Sequence, residues 1–228
     1  MFEVISYKMR AEDPVWPGNP PVVQLEPQQS ISGGDVANTT AIRVFSHSGS
    51  HLDSPKHFND KGAAAAELDI AQYVFERPRV ISVPKSDGEA ITKEELSPHA
   101  DKIADADLLC FRTGWSVMRK ADPQRYVQTG PLLAPEGAQY LIDNFPNLRA
   151  LAIDAVSIGS ADPALEKDTV ATHQILLGTH RDDDRYLLIL EDLVIDEKLE
   201  NAIRIYAWPL WIEGSDGSPC TCVAEYPD

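Results

Sequence analysis

Three of the chain's six histidines fall in one run of eleven residues, His47-Ser48-Gly49-Ser50-His51-Leu52-Asp53-Ser54-Pro55-Lys56-His57. No other segment limits the local fold as much. His47, His51, Asp53 and His57 are all at odd positions, so an extended chain would turn them to one face and Ser48, Ser50 and Leu52 to the other. A helix would align His47 with His51 but swing Asp53 about 240° away, at roughly 100° per residue. Extended backbone is therefore the reading that gathers the polar groups. The β-branched segment Thr39-Thr40-Ala41-Ile42-Arg43-Val44-Phe45 leads into the run as a strand, Gly49 leaves an open place between two imidazoles, and Pro55 stiffens the approach to His57.

Two imidazoles and a carboxylate on one face are a ligand set for Zn²⁺, or for Mn²⁺ where oxygen donors predominate, and three protein ligands leave a coordination position open. A chain of 228 residues buries a core without a structural metal, so an ion here would serve chemistry. His57 lies on the same face beyond the ligands, where an imidazole can transfer protons. If two ions bind, a second carboxylate must offset their repulsion. Glu191, at the end of Leu187-Leu188-Ile189-Leu190, is either that ligand or a solvated strand end. His173 lies in an expected helix over Thr169–Leu177, with His180 as its rival.

The charge narrows the partners. Twenty basic against 36 acidic side chains leave a net charge of −16, which opposes binding to nucleic acid or to an anionic membrane. No run of 18 apolar residues occurs, and Met1-Phe2-Glu3-Val4-Ile5-Ser6-Tyr7 lacks the build of a signal peptide, so the expected location is cytoplasmic. Cys110, Cys220 and Cys222 form no disulfide framework; Cys110 reads as core, and the Cys220/Cys222 pair lacks further metal ligands nearby.

The first forty residues are rich in Pro and Gly and read as loops, which makes Trp16 loop-borne. Further strands are expected at 79–83, 107–112, 150–154, 186–190 and 203–208, and helices at 68–76, after the capping pair Thr92 and Glu95, at 135–145, and at 169–177 capped by Asp168. The sum is a mixed α/β fold, one domain spanning residues 1–228, with at least six strands. Trp16, Trp115 and Phe45 are candidate walls for a planar aromatic substrate, with Ser157 or Asp154 as its polar contact.

The eleven-residue run resembles the His-x-Gly-Thr-His-x-Asp-x-Pro-x-His signature of the metal-dependent cyclase family, which includes bacterial kynurenine formamidase and isatin hydrolase. Ser50 replaces the usual Thr. The resemblance extends through Pro14-Val15-Trp16-Pro17-Gly18, Phe111-Arg112-Thr113-Gly114-Trp115, Ile153-Asp154-Ala155-Val156-Ser157 and the pair His173 and Glu191. It implies a swivelling β/β/α fold with a mixed sheet core, and a homodimer or homotetramer. By the same resemblance His47, His51 and Asp53 bind a first ion, Asp53 and Glu191 bridge to a second also held by His173, and His57 is catalytic. The interval from His173 to Glu191 contains residues 178–185 and is longer than the formamidase pattern, so His180 remains an alternative to His173. The implied activity is hydrolysis of an amide-type C–N bond in a small aromatic substrate, with N-formylkynurenine first and isatin or another cyclic amide or lactone as the alternative. A metal-dependent binding protein without turnover is the rival, and the intact His57 argues against it. A closed, Cys-rich structural zinc site does not match these ligands.

Overall fold

The computed structural model describes residues 1–227. Its strands are β1 (Phe2–Val4), β2 (Val23–Gln29), β3 (Thr39–Val44), β4 (His51–Asp53), β5 (Val74–Phe75), β6 (Pro78–Ser82), β7 (Ala90–Ile91), β8 (Leu108–Arg112), β9 (Leu132–Leu133), β10 (Ala150–Ile153), β11 (Leu188–Glu191), β12 (Arg204–Pro209) and β13 (Gly217–Glu225). The main sheet runs β5-β12-β13-β4-β11-β10-β8-β6, with β1 added on β13. Neighbours among β6, β8, β10 and β11 are parallel, and the rest of the main sheet pairs antiparallel. Parallel strands need crossovers, and helices Pro135–Asn144 and Glu166–Leu176 lie in those joining β8 to β10 and β10 to β11.

Both faces of the parallel half are buried, which is why its strands read as nearly continuous apolar runs. Alternate residues enter different cores. Leu109, Phe111, Leu151, Ile153 and Ile189 pack with Leu141, Ile142 and Leu176 of the helices. Leu108, Cys110, Ala150, Ala152, Leu188 and Leu190 pack instead with Leu52, Phe75, Ile205 and Cys222. All three cysteines are free and buried. Among the described residues no helix is long and apolar enough to cross a membrane.

All six expected strands occur within two residues of their anticipated starts, and helix Pro135–Asn144 and the Thr92/Glu95 capping box form as read. Three expectations are corrected and one strand was missed. The Pro-rich opening contains β2, which pairs with β3 in a separate hairpin outside the main sheet. The segment 68–76 forms a 3₁₀ turn at Ile70–Tyr73 and then β5; pairing of β5 with β12 outweighs its local helical pattern. Asp168 is inside the first turn of helix Glu166–Leu176, because a 3₁₀ turn capped by Asp162 precedes it. The nine-residue β13 was not anticipated: Pro219 interrupts its sequence pattern, yet this strand bridges β12 and β4.

Candidate metal centre

The histidine run is not one extended strand. β3 ends at Val44, a turn follows with Gly49 at φ +61°, and extended structure resumes only for His51–Asp53 before a 3₁₀ turn at Pro55–His57. The alternation argument holds for β4 alone: Leu52 enters one core while His51 and Asp53 face the other side. His47 and His57 come to that side by chain reversal, and their rings stack with centroids 3.7 Å apart.

Tertiary pairing supplies the remaining groups. In the β4–β11 ladder Glu191 is opposite His51, with His51 Nε2 3.2 Å from Glu191 Oε2 and 3.4 Å from Asp53 Oδ1. Helix Glu166–Leu176 brings in His173, whose Nε2 is 3.6 Å from Glu191 Oε1 and 3.9 Å from Asp53 Oδ2. Ligand atoms of His51, Asp53 and Glu191 lie within 4.8 Å of one another, as do those of His47, Asp53 and His57, so Asp53 belongs to both groups. His180 faces a different surface, beside Gln139, Gln174 and Arg181. His173, and not His180, therefore lies beside Asp53 and Glu191. Glu191 and its neighbour Asp192 are both buried, 3% and 1% exposed, which removes the solvated-strand-end reading.

Each imidazole has one nitrogen tied back. His51 Nδ1–H donates to Gly49 O at 2.8 Å, His173 Nδ1–H to Thr169 O at 2.7 Å, and His47 Nε2–H to Asp216 Oδ2 at 2.9 Å. The nitrogens left toward Asp53 and Glu191 are Nε2 of His51 and His173 and Nδ1 of His47, the last 2.7 Å from Asp53 Oδ1. Fixing the far nitrogen sets the ring orientation that a ligating histidine needs. Glu191 is itself oriented, since Oε1 accepts from Ser157 Oγ at 2.9 Å and from Ile158 N at 2.7 Å.

Burial opposes ionisation of every one of these groups, and their mutual pairing overcomes it. For His47 the Asp53 charge and the Asp216 and Asp53 hydrogen bonds outweigh burial and push the group up to about 10. For His51 the Glu191 hydrogen bond and charge do the same, to about 9. His173 is raised by Glu191 and Asp53 against its burial. Burial would raise Glu191, but the hydrogen bonds from His173 and His51 hold it well below the usual carboxylate range. Burial and Glu191 oppose ionisation of Asp53, and His47 and His57 bring it down. Two ionised carboxylates enclosed by imidazoles of fixed orientation fit a divalent cation with mixed N and O ligands.

The donors open onto a cavity of about 580 Å³, lined by Trp16, Phe45, Phe58 and Val156 as well as by His47, His51, Asp53, His57, His173 and Glu191. Trp16 and Phe45 are both in the cavity wall. Trp115 is not: it is 2% exposed in the helical core, and its indole N–H donates to Tyr126 O at 3.1 Å. Ser157 lines the cavity, but its hydroxyl donates to Glu191 and its oxygen accepts from Gly159 N–H. Asp154 accepts from Thr113 N, Thr113 Oγ1 and Gly114 N, and so holds a turn.

A family model described as "Putative cyclase" matches residues 4–160. The chain belongs to the cyclase family of metal-dependent hydrolases. This cyclase-family chain is 30% identical over 216 residues to a kynurenine formamidase of Geobacillus thermodenitrificans, covering 94% of its own length and 92% of the relative's. It is 28% identical over 225 residues to cyclase-like protein 2 of Arabidopsis thaliana, covering 96% and 77%. Isatin hydrolase A from Labrenzia aggregata superposes with a TM-score of 0.82 at 20% identity, covering 100% and 94%, a likeness that shows the cyclase-type fold.

Several residues around the centre had no signal in the sequence. Phe58 stacks on His173 with centroids 4.9 Å apart. Asp192, at φ +55°, takes a bidentate pair from Arg119 and a hydrogen bond from Tyr126 Oη at 2.6 Å. Its carbonyl accepts from Ser50 Oγ at 2.5 Å, which ties the residue before β4 to the residue after β11. Asp216 sits in a Gly-Ser-Asp-Gly stretch that looks like an ordinary turn.

Proposed function

We propose that this cyclase-family chain hydrolyses the amide-type C–N bond of a small aromatic substrate, with an N-formyl arylamine of the N-formylkynurenine type as the first candidate. Water adds to the formyl carbon, the C–N bond breaks, and formate and the free arylamine result. The observation that carries the reading is the meeting of five ligand-type side chains and His57 in one cavity with aromatic walls. Full-length similarity to chains named kynurenine formamidase supports the formamide substrate.

His47, His51, Asp53, Glu191 and His173 would hold the ion, Zn²⁺ first and Mn²⁺ as the alternative. A divalent ion in such a site polarises a carbonyl oxygen and lowers the pKa of a bound water to about 7. His57, 26% exposed at the cavity wall, takes a proton from the attacking water and returns one to the leaving nitrogen. Trp16, Phe45 and Phe58 receive the aryl ring. One observation favours a second role for His57: its ligand atom lies within 4.8 Å of those of His47 and Asp53, which would make it a ligand of a second ion.

The test is chelation followed by reloading with Zn²⁺ or Mn²⁺, with rates measured on aryl formamides, isatin and lactones. Hydrolysis of aryl formamides only after reloading is expected. Absence of turnover on every compound, with full metal occupancy by mass spectrometry, overturns the reading and leaves a binding protein. His57→Ala is expected to keep its metal and lose about 10²- to 10⁴-fold in kcat; loss of one ion per chain would place His57 among the ligands.

A further inference from the structure

Asp216 is 41% exposed on its side chain and does not line the cavity, yet one of its oxygens serves two imidazoles. Oδ2 is 2.9 Å from His47 Nε2 and 3.5 Å from His57 Nδ1. These are the two rings that stack on each other at 3.7 Å. The His47 ring separates Asp216 from Asp53, since one carboxylate takes Nε2 and the other Nδ1. Asp216 is therefore on the outer side of the donor set.

Its backbone is fixed independently of its side chain. Asp216 O accepts from Ser54 N at 3.1 Å and from Ser54 Oγ at 2.8 Å, and the next residue, Gly217, pairs with Asp53 in the β4–β13 ladder. Ser54 directly follows Asp53 and precedes the 3₁₀ turn that carries His57. The Asp216 carboxylate is thus held in register with both histidines by the strand pairing that also sets Asp53.

We propose that Asp216 is a positioning residue that sets the tautomer and orientation of both His47 and His57 through one carboxylate, coupling the metal-ligating ring to the proton-transferring ring. A carboxylate on the far nitrogen of a ligating histidine raises its basicity and fixes its angle, and its loss typically weakens metal binding 10- to 100-fold. The same oxygen, 3.5 Å from His57 Nδ1, favours the tautomer with the proton on Nδ1 and so leaves Nε2 for the reacting proton. This inference rests on the hydrolase reading above for its kinetic part, but not for its binding part.

The experiment compares wild type with Asp216→Asn, Asp216→Glu, His57→Ala and the Asp216→Asn/His57→Ala double variant. Zinc affinity is read by chelator competition, ring tautomers by ¹⁵N-histidine spectra of the zinc-loaded protein, and rates on an N-formyl arylamine. Asp216→Asn is expected to bind zinc at least about tenfold more weakly and to lose about 10²-fold in kcat with KM within about twofold. Asp216→Glu should restore part of both. In the His57→Ala background the added kcat loss should shrink to about threefold or less, because the ring that Asp216 positions is gone. Wild-type zinc affinity and unchanged tautomers in Asp216→Asn overturn the proposal, as does a kcat loss of the same size with or without His57. If wild type turns over no substrate, the function proposed above falls, while the affinity and tautomer comparisons still decide the role of Asp216.

Discussion

His51 and Glu191 stand directly opposite each other across the antiparallel ladder of β4 and β11, with 3.2 Å between Nε2 and Oε2. The ladder register therefore determines which acid reaches the histidine run. A slip of one residue would turn Glu191 into the apolar core and present Leu190 in its place. Glu191→Gln keeps the shape and removes the charge, and it is expected to bind zinc at least about tenfold more weakly while retaining the wild-type circular dichroism spectrum. Equal affinity by chelator competition would remove Glu191 from the ligand set.

Gly217 is next to this ladder, and its need for glycine is steric rather than conformational. A Cβ there would lie 2.5 Å from His47 Cε1 and 2.7 Å from Leu52 O. Gly217→Ala should displace His47, cost about 1–3 kcal/mol in urea unfolding, and weaken zinc binding. A variant with unchanged stability and affinity would show that the β13 start moves without strain.

Trp16 and Trp115 are chemically alike but differently placed, and they make a paired test. Trp16→Ala opens the cavity wall and should raise KM for aromatic formamides about tenfold, a loss of roughly 1.4 kcal/mol in contact, with little change in melting temperature. Trp115→Ala should instead destabilise the fold by about 3–5 kcal/mol. A KM effect confined to Trp115→Ala would reverse the assignment.

The pair Lys85–Glu95 gives a pH dependence outside the metal centre. Burial tends to raise Glu95, but the hydrogen bond from Lys85 and that from Thr92 N hold it below its ordinary 4.5. A lowered folded-state value means stabilisation that is present above 4.5 and lost as the pH falls through the folded value. Because the Glu95 side chain is 40% exposed, Glu95→Gln should cost no more than about 1 kcal/mol at pH 7. Urea titrations of both proteins should converge in acid; a difference that persists at pH 2 would contradict the linkage.

The sequence determined the chemistry that is local along the chain. The residues of the histidine run, the Pro-started helix at 135 and the Thr92/Glu95 cap depend on neighbours within a few positions, and so do the apolar runs that became β8, β10 and β11. It also placed His51 and Asp53 on one face, because side chains in a strand alternate. Tertiary structure decided what depends on pairing between distant segments. The β4–β11 register buried Glu191 against His51, helix packing brought His173 rather than His180 beside Glu191, and a turn rather than a strand brought His47 and His57 together. Packing moved Trp115 into the core, and β13 delivered Asp216. Local propensity carries no information about which strand lies beside which, since that is settled by the joint burial of two apolar faces and the hydrogen bonding of a shared ladder.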